Sequence, residues 1–285
     1  MKRFCFFLLL FLFLASCSST KYPLSSQLSE ISGIESLSRG TFFAINDSGD
    51  EPIIYALKSD GIIFHKIFIT GAKNIDWEDL SCDDDFIYIG DIGNNRNQRK
   101  DLMVYRISLN NLIGYQYIDG KLHHNLPDTL RAEPCPLNYP DQISFPPKDS
   151  RMNFDSEALT QADGKLLILS KDRSKPYQGL CKIYEVDSSN KPLQIRLLQE
   201  IQLKGLSWLT GSVTGCDYFN NKLYVLTYKR LYIFERRQGQ FKLLLKKNLG
   251  PIQQWEGICV ETENEIRIVA EKSRVGRQKM KIIKL

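Results

Sequence analysis

Short stretches of apolar or alternating residues follow one another along the chain beyond residue 30, and polar turns separate them. Typical stretches are 41–45, 86–89, 165–169, 222–226 and 265–269. They are rich in β-branched and aromatic residues and are bounded by Asn, Asp, Gly and Ser, as strands are. No window of comparable length shows a convincing apolar period of 3.6 residues. The pattern therefore predicts a nearly all-β domain.

Five of these strands are preceded by a repeated triplet of an acid or hydroxyl residue, usually a small residue, and an apolar residue. The triplets begin at Ser32, Glu78, Glu157, Thr214 and Glu256, at intervals of 46, 79, 57 and 42 residues. Propeller repeats of four strands take about 40 to 50 residues. The repeats therefore predict a five-bladed β-propeller. The last repeat holds three strands, so the segment 21–30 would supply the fourth and close the ring.

The interval of 79 residues leaves room for a sixth blade. Residues 110–150 are rich in proline, which cannot donate to a central ladder. We interpret this stretch as outer strands plus a long insertion, with a six-bladed propeller as the alternative. A sandwich or another barrel is the broader alternative.

The N-terminus has the three-part layout of a secretory signal: Lys2 and Arg3, the apolar run 4–14, and small residues before Cys17. The run is shorter than the ~20 residues of a membrane-spanning helix. Leu14-Ala15-Ser16-Cys17 resembles the lipobox of bacterial lipoproteins, in which the cysteine is acylated after cleavage; an ordinary secretory signal is the alternative. We expect a signal peptide at 1–16, a lipidated tether at 17–23 and one propeller domain at 24–285. Ser18, in place of an aspartate, favours the outer membrane.

Charge and cysteine content narrow the function classes. Removal of residues 1–16 leaves 36 basic and 33 acidic residues, without a basic stripe, which argues against a nucleic-acid partner. The cysteines after Cys17 are an odd set without close pairs, so they predict small buried side chains rather than a disulfide framework. The expected partners are the membrane, through the lipid anchor, and a small-molecule, glycan or protein ligand.

Acidic residues recur at the start of the inner strands, which line the channel of a propeller. Glu78, Glu157 and Glu256 would therefore converge near one axis, where they repel each other unless they are protonated or bridged by a cation. With Asp79 and Asp217 they form a candidate site for calcium, which prefers oxygen ligands. The residues expected to line the channel beside them are Ser32, Thr214, Asn46, Asp91 and Asn95, and Asp47, Asp76 and Asp155 stand close in sequence. The alternative is that these residues cap turns and accept backbone amides.

The usual catalytic signatures are absent from the sequence: there is no Gly-x-Ser-x-Gly elbow, His-Glu-x-x-His helix or phosphate-binding glycine loop. The first functional hypothesis is therefore an outer-membrane-anchored binding module. The second is a calcium-dependent hydrolase of the lactonase or phosphoesterase type, in which the cation lowers the pKa of bound water and Glu157 or Asp217 serves as ligand or base.

Six segments together resemble a known group of proteins. They are Asn46-Asp47-Ser48-Gly49, 74–79, 90–95, 155–158, 213–215 and 255–257. As a set they are similar to bacterial extracytoplasmic β-propeller lipoproteins and, more distantly, to the esterase-like domain of certain phytases. This resemblance implies a propeller and an exported protein, and it implies little about activity, because fold does not fix function.

Overall fold

A computed structural model describes residues 20–38, 40–112, 115–118, 121–124, 126–203, 205, 207–274 and 276–285. The first ten strands are β1 Lys21–Pro23, β2 Ile31–Ser38, β3 Thr41–Asn46, β4 Ile53–Lys58, β5 Ile63–Thr70, β6 Trp77–Cys82, β7 Phe86–Asp91, β8 Met103–Ser108, β9 Tyr115–Ile118 and β10 Lys121–His124. The others are β11 Thr129–Arg131, β12 Glu133–Pro136, β13 Asp155–Ala162, β14 Lys165–Lys171, β15 Leu180–Asp187, β16 Gln194–Gln202, β17 Val213–Phe219, β18 Lys222–Thr227, β19 Arg230–Arg237, β20 Gln240–Asn248, β21 Trp255–Thr262, β22 Glu265–Ala270 and β23 Lys279–Lys284.

Helical structure in the described residues is limited to short turns. The α-helix α1 covers Trp208–Gly211, and 3-10 turns cover Ser26–Leu28, Leu109–Asn111 and Asp149–Arg151. None of these segments is long and apolar enough to cross a membrane.

Five sheets form a ring, which confirms the five-bladed propeller. Blades 1 to 5 begin with the inner strands β2, β6, β13, β17 and β21, and each inner strand contacts the inner strand of the next blade around the ring. Apolar side chains fill the spaces between neighbouring blades, so each blade buries both of its faces. Burial on both faces explains why the middle strands read as continuous apolar runs.

The long interval between the second and third triplets does not hold a sixth blade. After β8 the chain forms the hairpin β9–β10, and then β11 pairs in parallel with β5 as a fifth strand of blade 1. It returns as β12, the outer strand of blade 2, which is antiparallel to β8. The proline-rich insertion thus supplies a separate hairpin and outer strands, as its composition predicts.

The N-terminal segment closes the ring. β1 pairs antiparallel with β23, so that Lys21 lies opposite Lys281 and Pro23 opposite Lys279. Behind it, Leu28 is fully buried in the cluster that contains Ile31 and Met280, between blades 5 and 1. Strand pairing begins at Lys21, three residues before the domain boundary that we expected at residue 24, and Cys17 lies outside the described residues.

The described cysteines agree with the sequence interpretation. Cys82, Cys135, Cys181, Cys216 and Cys259 are free thiols, and all except Cys82 are buried. In the described part of the chain, blade packing and strand pairing hold the ring together without a disulfide bond.

Candidate functional site

Each inner strand carries a β-bulge at the same place, and the extra residue is the first residue of the sequence triplet. In blade 2, for example, Trp77 pairs with Asp91 and Asp79 pairs with Gly90, which leaves Glu78 between them without a partner. The five bulged residues are Ser32, Glu78, Glu157, Thr214 and Glu256. A bulge re-aims the side chain of its extra residue. All five side chains line one cavity at an end of the channel.

We call this cavity the acidic mouth. Its volume is about 170 Å³. Besides the five bulged residues, its lining consists of Asp47, Asn95, Lys171, Arg173, Tyr228, Gln254 and Glu271. The carboxylates come from four blades, so the site exists only when the ring is closed.

Two groups of three carboxylates lie at the wall of the acidic mouth, with Asp76 and Asp155 just behind its lining residues, and Glu78 belongs to both groups. Oxygens of Asp47, Asp76 and Glu78 all lie within 4.8 Å of one another, and the same holds for Glu78, Asp155 and Glu157. Asp47 follows the last residue of β3 in blade 1, whereas Asp76 directly precedes β6 in blade 2. The first group thus bridges two blades.

Cationic side chains pair with Glu157 and Asp155 of the second group. Lys171 Nζ lies 2.7 Å from Glu157 Oε2 and also donates to the Tyr228 hydroxyl at 3.1 Å. Arg173 Nη2 lies 3.0 Å from Glu157 Oε1, and Arg173 Nε bonds to Asp155. Burial raises the pKa of Glu157, but the charges of Lys171 and Arg173 outweigh it and hold the pKa below its usual value. Glu157 is therefore ionised at neutral pH.

Glu78 and Glu256 lack such partners. Their side chains are buried, with residue exposures of 7% and 8%, and neither carboxyl has a hydrogen bond or ion pair to any residue that the structure describes. Burial raises the pKa of Glu78, and the charges of Glu157 and Asp47 raise it further. Burial also raises the pKa of Glu256, against the nearby charge of Lys171. A buried carboxylate without a partner is costly, so both groups favour a proton or a cation in the cavity that they line.

Gly93 fixes the position of the Asp47–Asp76–Glu78 group. A Cβ at this residue would collide with carboxylate oxygens of both Glu78 and Asp76. The turn around Gly93 is held by two acids: Asp91 accepts the Asp76 amide at 3.0 Å, and Asp155 accepts the Asn94 amide at 2.6 Å. The loop therefore presses its backbone against the two carboxylates, and only glycine leaves room for them.

The two bulge positions without an acid orient their neighbours. Ser32 Oγ donates to the Trp77 carbonyl at 3.0 Å, and Thr214 Oγ1 donates to the Trp255 carbonyl at 2.5 Å. Each bond joins adjacent blades directly before a bulged glutamate, so the hydroxyls help to fix Glu78 and Glu256. Trp77 and Trp255 are buried between blades, so both side chains contribute to blade packing.

The structure separates the sequence-predicted residues into two sets. Ser32, Glu78, Glu157, Thr214, Glu256 and Asn95 line the acidic mouth. Asp79, Asp217, Asn46 and Asp91 do not. Asp79 accepts the amides of Leu80 and Leu159, and Asp217 accepts those of Tyr218 and Val260, so both carboxylates join blades through the backbone. Asn46 binds the Gln27 carbonyl and Asp50, and Asp91 binds Arg99.

Lys171, Arg173, Tyr228 and Glu271 were missed by the sequence reasoning. A signal for three of the site residues exists in the repeat: Asp47, Tyr228 and Glu271 each stand one residue after the second strand of their blade. These three residues therefore occupy equivalent positions in their blades, at the same end of the channel. Lys171 occupies the equivalent position in blade 3, one residue beyond the partner of the residue that precedes the bulge, whereas Arg173 carries no comparable signal.

The opposite end of the channel opens into a wider cavity of about 880 Å³, lined by Glu35, Asp217 and Arg267 among others. Ligand atoms of Glu35, Asp217 and Cys259 lie within 4.8 Å of one another. However, Glu35 already accepts the Ser36 amide and Ser81, and Asp217 accepts Thr160 as well as its backbone amides. The acidic mouth, with two unpartnered carboxyls, is the stronger candidate.

Comparison with solved structures supports the fold. A crystal structure of the glutaminyl cyclase from Myxococcus xanthus is 12% identical, aligns over 92% of this chain and 93% of its own, and has a TM-score of 0.52. The virginiamycin B lyase from Staphylococcus aureus is 12% identical over 93% of this chain and 69% of its own, with a TM-score of 0.43. No protein-family model and no curated sequence matches the chain. At such low identity the first of these comparisons shows the propeller fold alone.

Because the carboxyl groups at the acidic mouth are crowded and buried, we expect the stability of the metal-free protein to decrease as the pH rises from 5 to 7.5. Burial and the Asp47 charge raise the pKa of Asp76 to about 7, and burial and the Glu157 charge raise that of Asp155 to about 6. At a pH between the unfolded-state pKa of about 4 and these raised folded-state pKa values, the folded state binds more protons than the unfolded state. The free energy of unfolding therefore falls as the pH rises through this range. Urea unfolding with EDTA should therefore give a higher free energy of unfolding at pH 5 than at pH 7.5, by about 1–2 kcal/mol once solvent screening of the partly exposed Asp76 is taken into account.

Asp76→Asn should weaken this pH dependence, whereas the exposed control Asp84→Asn should retain it. A free energy of unfolding that increases from pH 5 to pH 7.5 would contradict the placement of these carboxyls.

Proposed function

We propose that this protein is a lipid-anchored, extracytoplasmic β-propeller binding module that holds one divalent cation in its acidic mouth, with calcium as the first candidate. The observation that carries the proposal is Glu78: its buried carboxyl lies among the oxygens of Asp47 and Asp76 and has no hydrogen-bond partner among the described residues. A cation would supply the missing charge for all three groups.

The donor set favours a hard cation. Asp47, Asp76 and Glu78 would bind it, since Glu157 and Asp155 are already paired with Lys171 and Arg173. The lining residues of the acidic mouth include no histidine or cysteine, the ligands that zinc prefers. Carboxylate oxygens from separate chain segments suit calcium, which accepts six to eight oxygen ligands in flexible geometry. Three protein carboxylates leave positions for water and for oxygens of a small ligand in the cavity.

A substitution at Gly93 tests the site without removing a carboxylate. Gly93→Ala should abolish calcium binding, because the new methyl group must displace Glu78 and Asp76. Isothermal titration of metal-free protein with calcium measures this directly, and circular dichroism reports whether the ring remains folded. The matched control is Glu51→Gln, an exposed acid, which should bind calcium normally. Normal calcium binding by folded Gly93→Ala, or none by the unmodified protein at millimolar calcium, would overturn the proposal.

A calcium-dependent hydrolase is the second candidate, and Glu256 favours it. Its buried, unpartnered carboxyl lines the same cavity as the proposed cation site, and its pKa is raised, so it can hold a proton at neutral pH. A cation that polarises an ester or phosphoryl oxygen next to a carboxylic acid that protonates the leaving group is a recognised arrangement. Turnover of a lactone or phosphodiester that Glu256→Gln abolishes, with calcium affinity retained, would support the hydrolase. Calcium binding without turnover supports the binding module.

The lipid anchor is part of the same proposal and rests on the sequence around Cys17 and on its resemblance to the lipoprotein group. Cys17→Ala should give an unlipidated, unprocessed or mislocalised protein, which membrane fractionation and metabolic labelling with a fatty acid would reveal. Normal acylation and outer-membrane localisation of this variant would refute the lipobox interpretation.

A further inference from the structure

Lysines are concentrated on the outer strands of blades 4 and 5. Strands β20, β23 and β1 contain no acidic residue, and their basic residues are Lys21, Lys242, Lys246, Lys247, Lys279, Lys281 and Lys284. The outer strands of the other blades carry fewer basic residues: β5 has one lysine, β11 has Arg131, β16 has Arg196 and Glu200, and β12 has Glu133. The charge of these three strands is thus one-sided, although Glu235 lies opposite Lys242 and Glu265 lies opposite Lys284 on the neighbouring strands. We call this surface the basic edge.

The lysines of the basic edge lie close together. β1 and β23 pair directly, and Lys247 Nζ donates to the Lys284 carbonyl at 3.2 Å, which connects blade 4 to blade 5. Burial and the charge of Lys21 lower the pKa of Lys279, which shows that these two ammonium groups are close enough to repel each other. A surface of this kind attracts anions strongly.

Three consecutive leucines lie within the basic edge. Leu243, Leu244 and Leu245 of β20 are 56%, 52% and 44% exposed. β20 is an outer strand, and a β-bulge leaves Leu244 without a partner between Leu243 and Leu245. Bulges and flanking lysines hinder the addition of another strand to a sheet edge. The exposed leucines therefore suit an apolar medium better than a strand from another protein.

We infer that the basic edge rests on the surface of a bilayer that contains anionic lipids. This inference rests on the proposed lipid anchor. Cys17 lies four residues before Lys21, where β1 begins, and four extended residues span at most about 14 Å. An acylated Cys17 would thus hold the outer strands of blade 5 against the membrane. Exposed lysines such as Lys21, Lys242 and Lys284 would face the anionic headgroups, and the leucines would enter the boundary with the acyl chains.

The test uses the chain from Ser18 onward, which contains every strand of the ring but no lipid, so that the result does not depend on acylation. We expect this chain to float with vesicles that contain about one third phosphatidylglycerol and not with pure phosphatidylcholine vesicles. Lys242→Glu/Lys246→Glu/Lys247→Glu should lower the partition coefficient at least tenfold. Lys58→Glu/Lys100→Glu/Lys148→Glu is the matched control, since it changes exposed lysines elsewhere by the same charge, and it should bind within about twofold of the unmodified chain.

Serine substitutions at Leu243, Leu244 and Leu245 should also weaken vesicle binding while the protein stays folded by circular dichroism. Equal losses in the two lysine variants, or no binding of the unmodified chain to anionic vesicles, would overturn the inference. Dimers that disappear in the leucine variant, together with absent vesicle binding, would assign the edge to a second copy of the chain instead. Because no lipid is attached, these results are independent of the Cys17→Ala experiment.

Discussion

Calcium at about one hundred times its dissociation constant should raise the melting temperature of the metal-free protein by about 5–10 °C. A ligand that binds only the folded state stabilises it by about 2.7 kcal/mol at this ratio, and each kcal/mol shifts the melting temperature of a domain of this size by about 2–4 °C. The physical reason is that the cation replaces the protons and the mutual repulsion of Asp47, Asp76 and Glu78. Differential scanning calorimetry over a series of free calcium concentrations measures the shift.

Glu78→Gln distinguishes charge repulsion from cation binding. The substitution should stabilise the metal-free protein but abolish the stabilisation by calcium. In EDTA the variant should be more stable than the unmodified protein at pH 7.5, since it removes a buried carboxyl whose pKa the burial and the Glu157 charge raise. In calcium it should show no shift. The exposed control Glu51→Gln should keep the full calcium shift. A calcium shift of normal size in Glu78→Gln would move the cation away from the acidic mouth.

Deletion of residues 21–30 should destabilise the entire ring. The deletion removes β1 from β23 and takes away Leu24 and Leu28, which are buried between blades 5 and 1. Each buried leucine contributes about 2–5 kcal/mol, so the expected loss is about 5 kcal/mol or more, which is comparable with the total stability of many domains. Chemical denaturation and limited proteolysis would measure the effect.

Single substitutions give a milder version of the same experiment. Leu28→Ala should cost about 2–5 kcal/mol, because the side chain is fully buried. Leu285→Ala, at a half-exposed site next to β23, should change the free energy of unfolding by less than about 0.5 kcal/mol. An unchanged midpoint for both Leu28→Ala and the deletion would mean that the N-terminal segment does not hold the ring closed.

The blade count and the closing strand followed from the sequence because their signals are local and repeated. Each triplet marks the bulge of an inner strand, and the apolar runs behind it mark strands that are buried on both faces. The sequence predicts that this region holds outer strands, but it does not predict where β11 and β12 pair. Parallel pairing of β11 with β5 joins segments about sixty residues apart. Nothing in either segment specifies that partner.

The site was predictable at the bulged residues and not beside them. Glu78 and Asp79 are adjacent acids with opposite roles: the bulge turns Glu78 into the cavity, while Asp79 accepts two backbone amides between blades 2 and 3. A bulge is a property of the pairing between two strands, so one sequence does not reveal which acid it reorients. The same holds for Lys171, whose position opposite Asp155 sets its reach to Glu157.

The pairing of β1 with β23, which closes the ring, limits when the domain can finish folding during synthesis. β1 is the first strand of the described chain to be made, and its partner β23 is the last, so the two can meet only when translation of the whole domain is complete. Until then the last blade lacks its outer strand, and the cavity between blades 5 and 1 stays open to other chains. Pairing between distant segments is slow, and unpaired edges invite aggregation. The seam between blades 5 and 1 therefore stays exposed for as long as the ends of the nascent chain are apart, and a stop codon anywhere before Lys279 would leave a ring with an open seam.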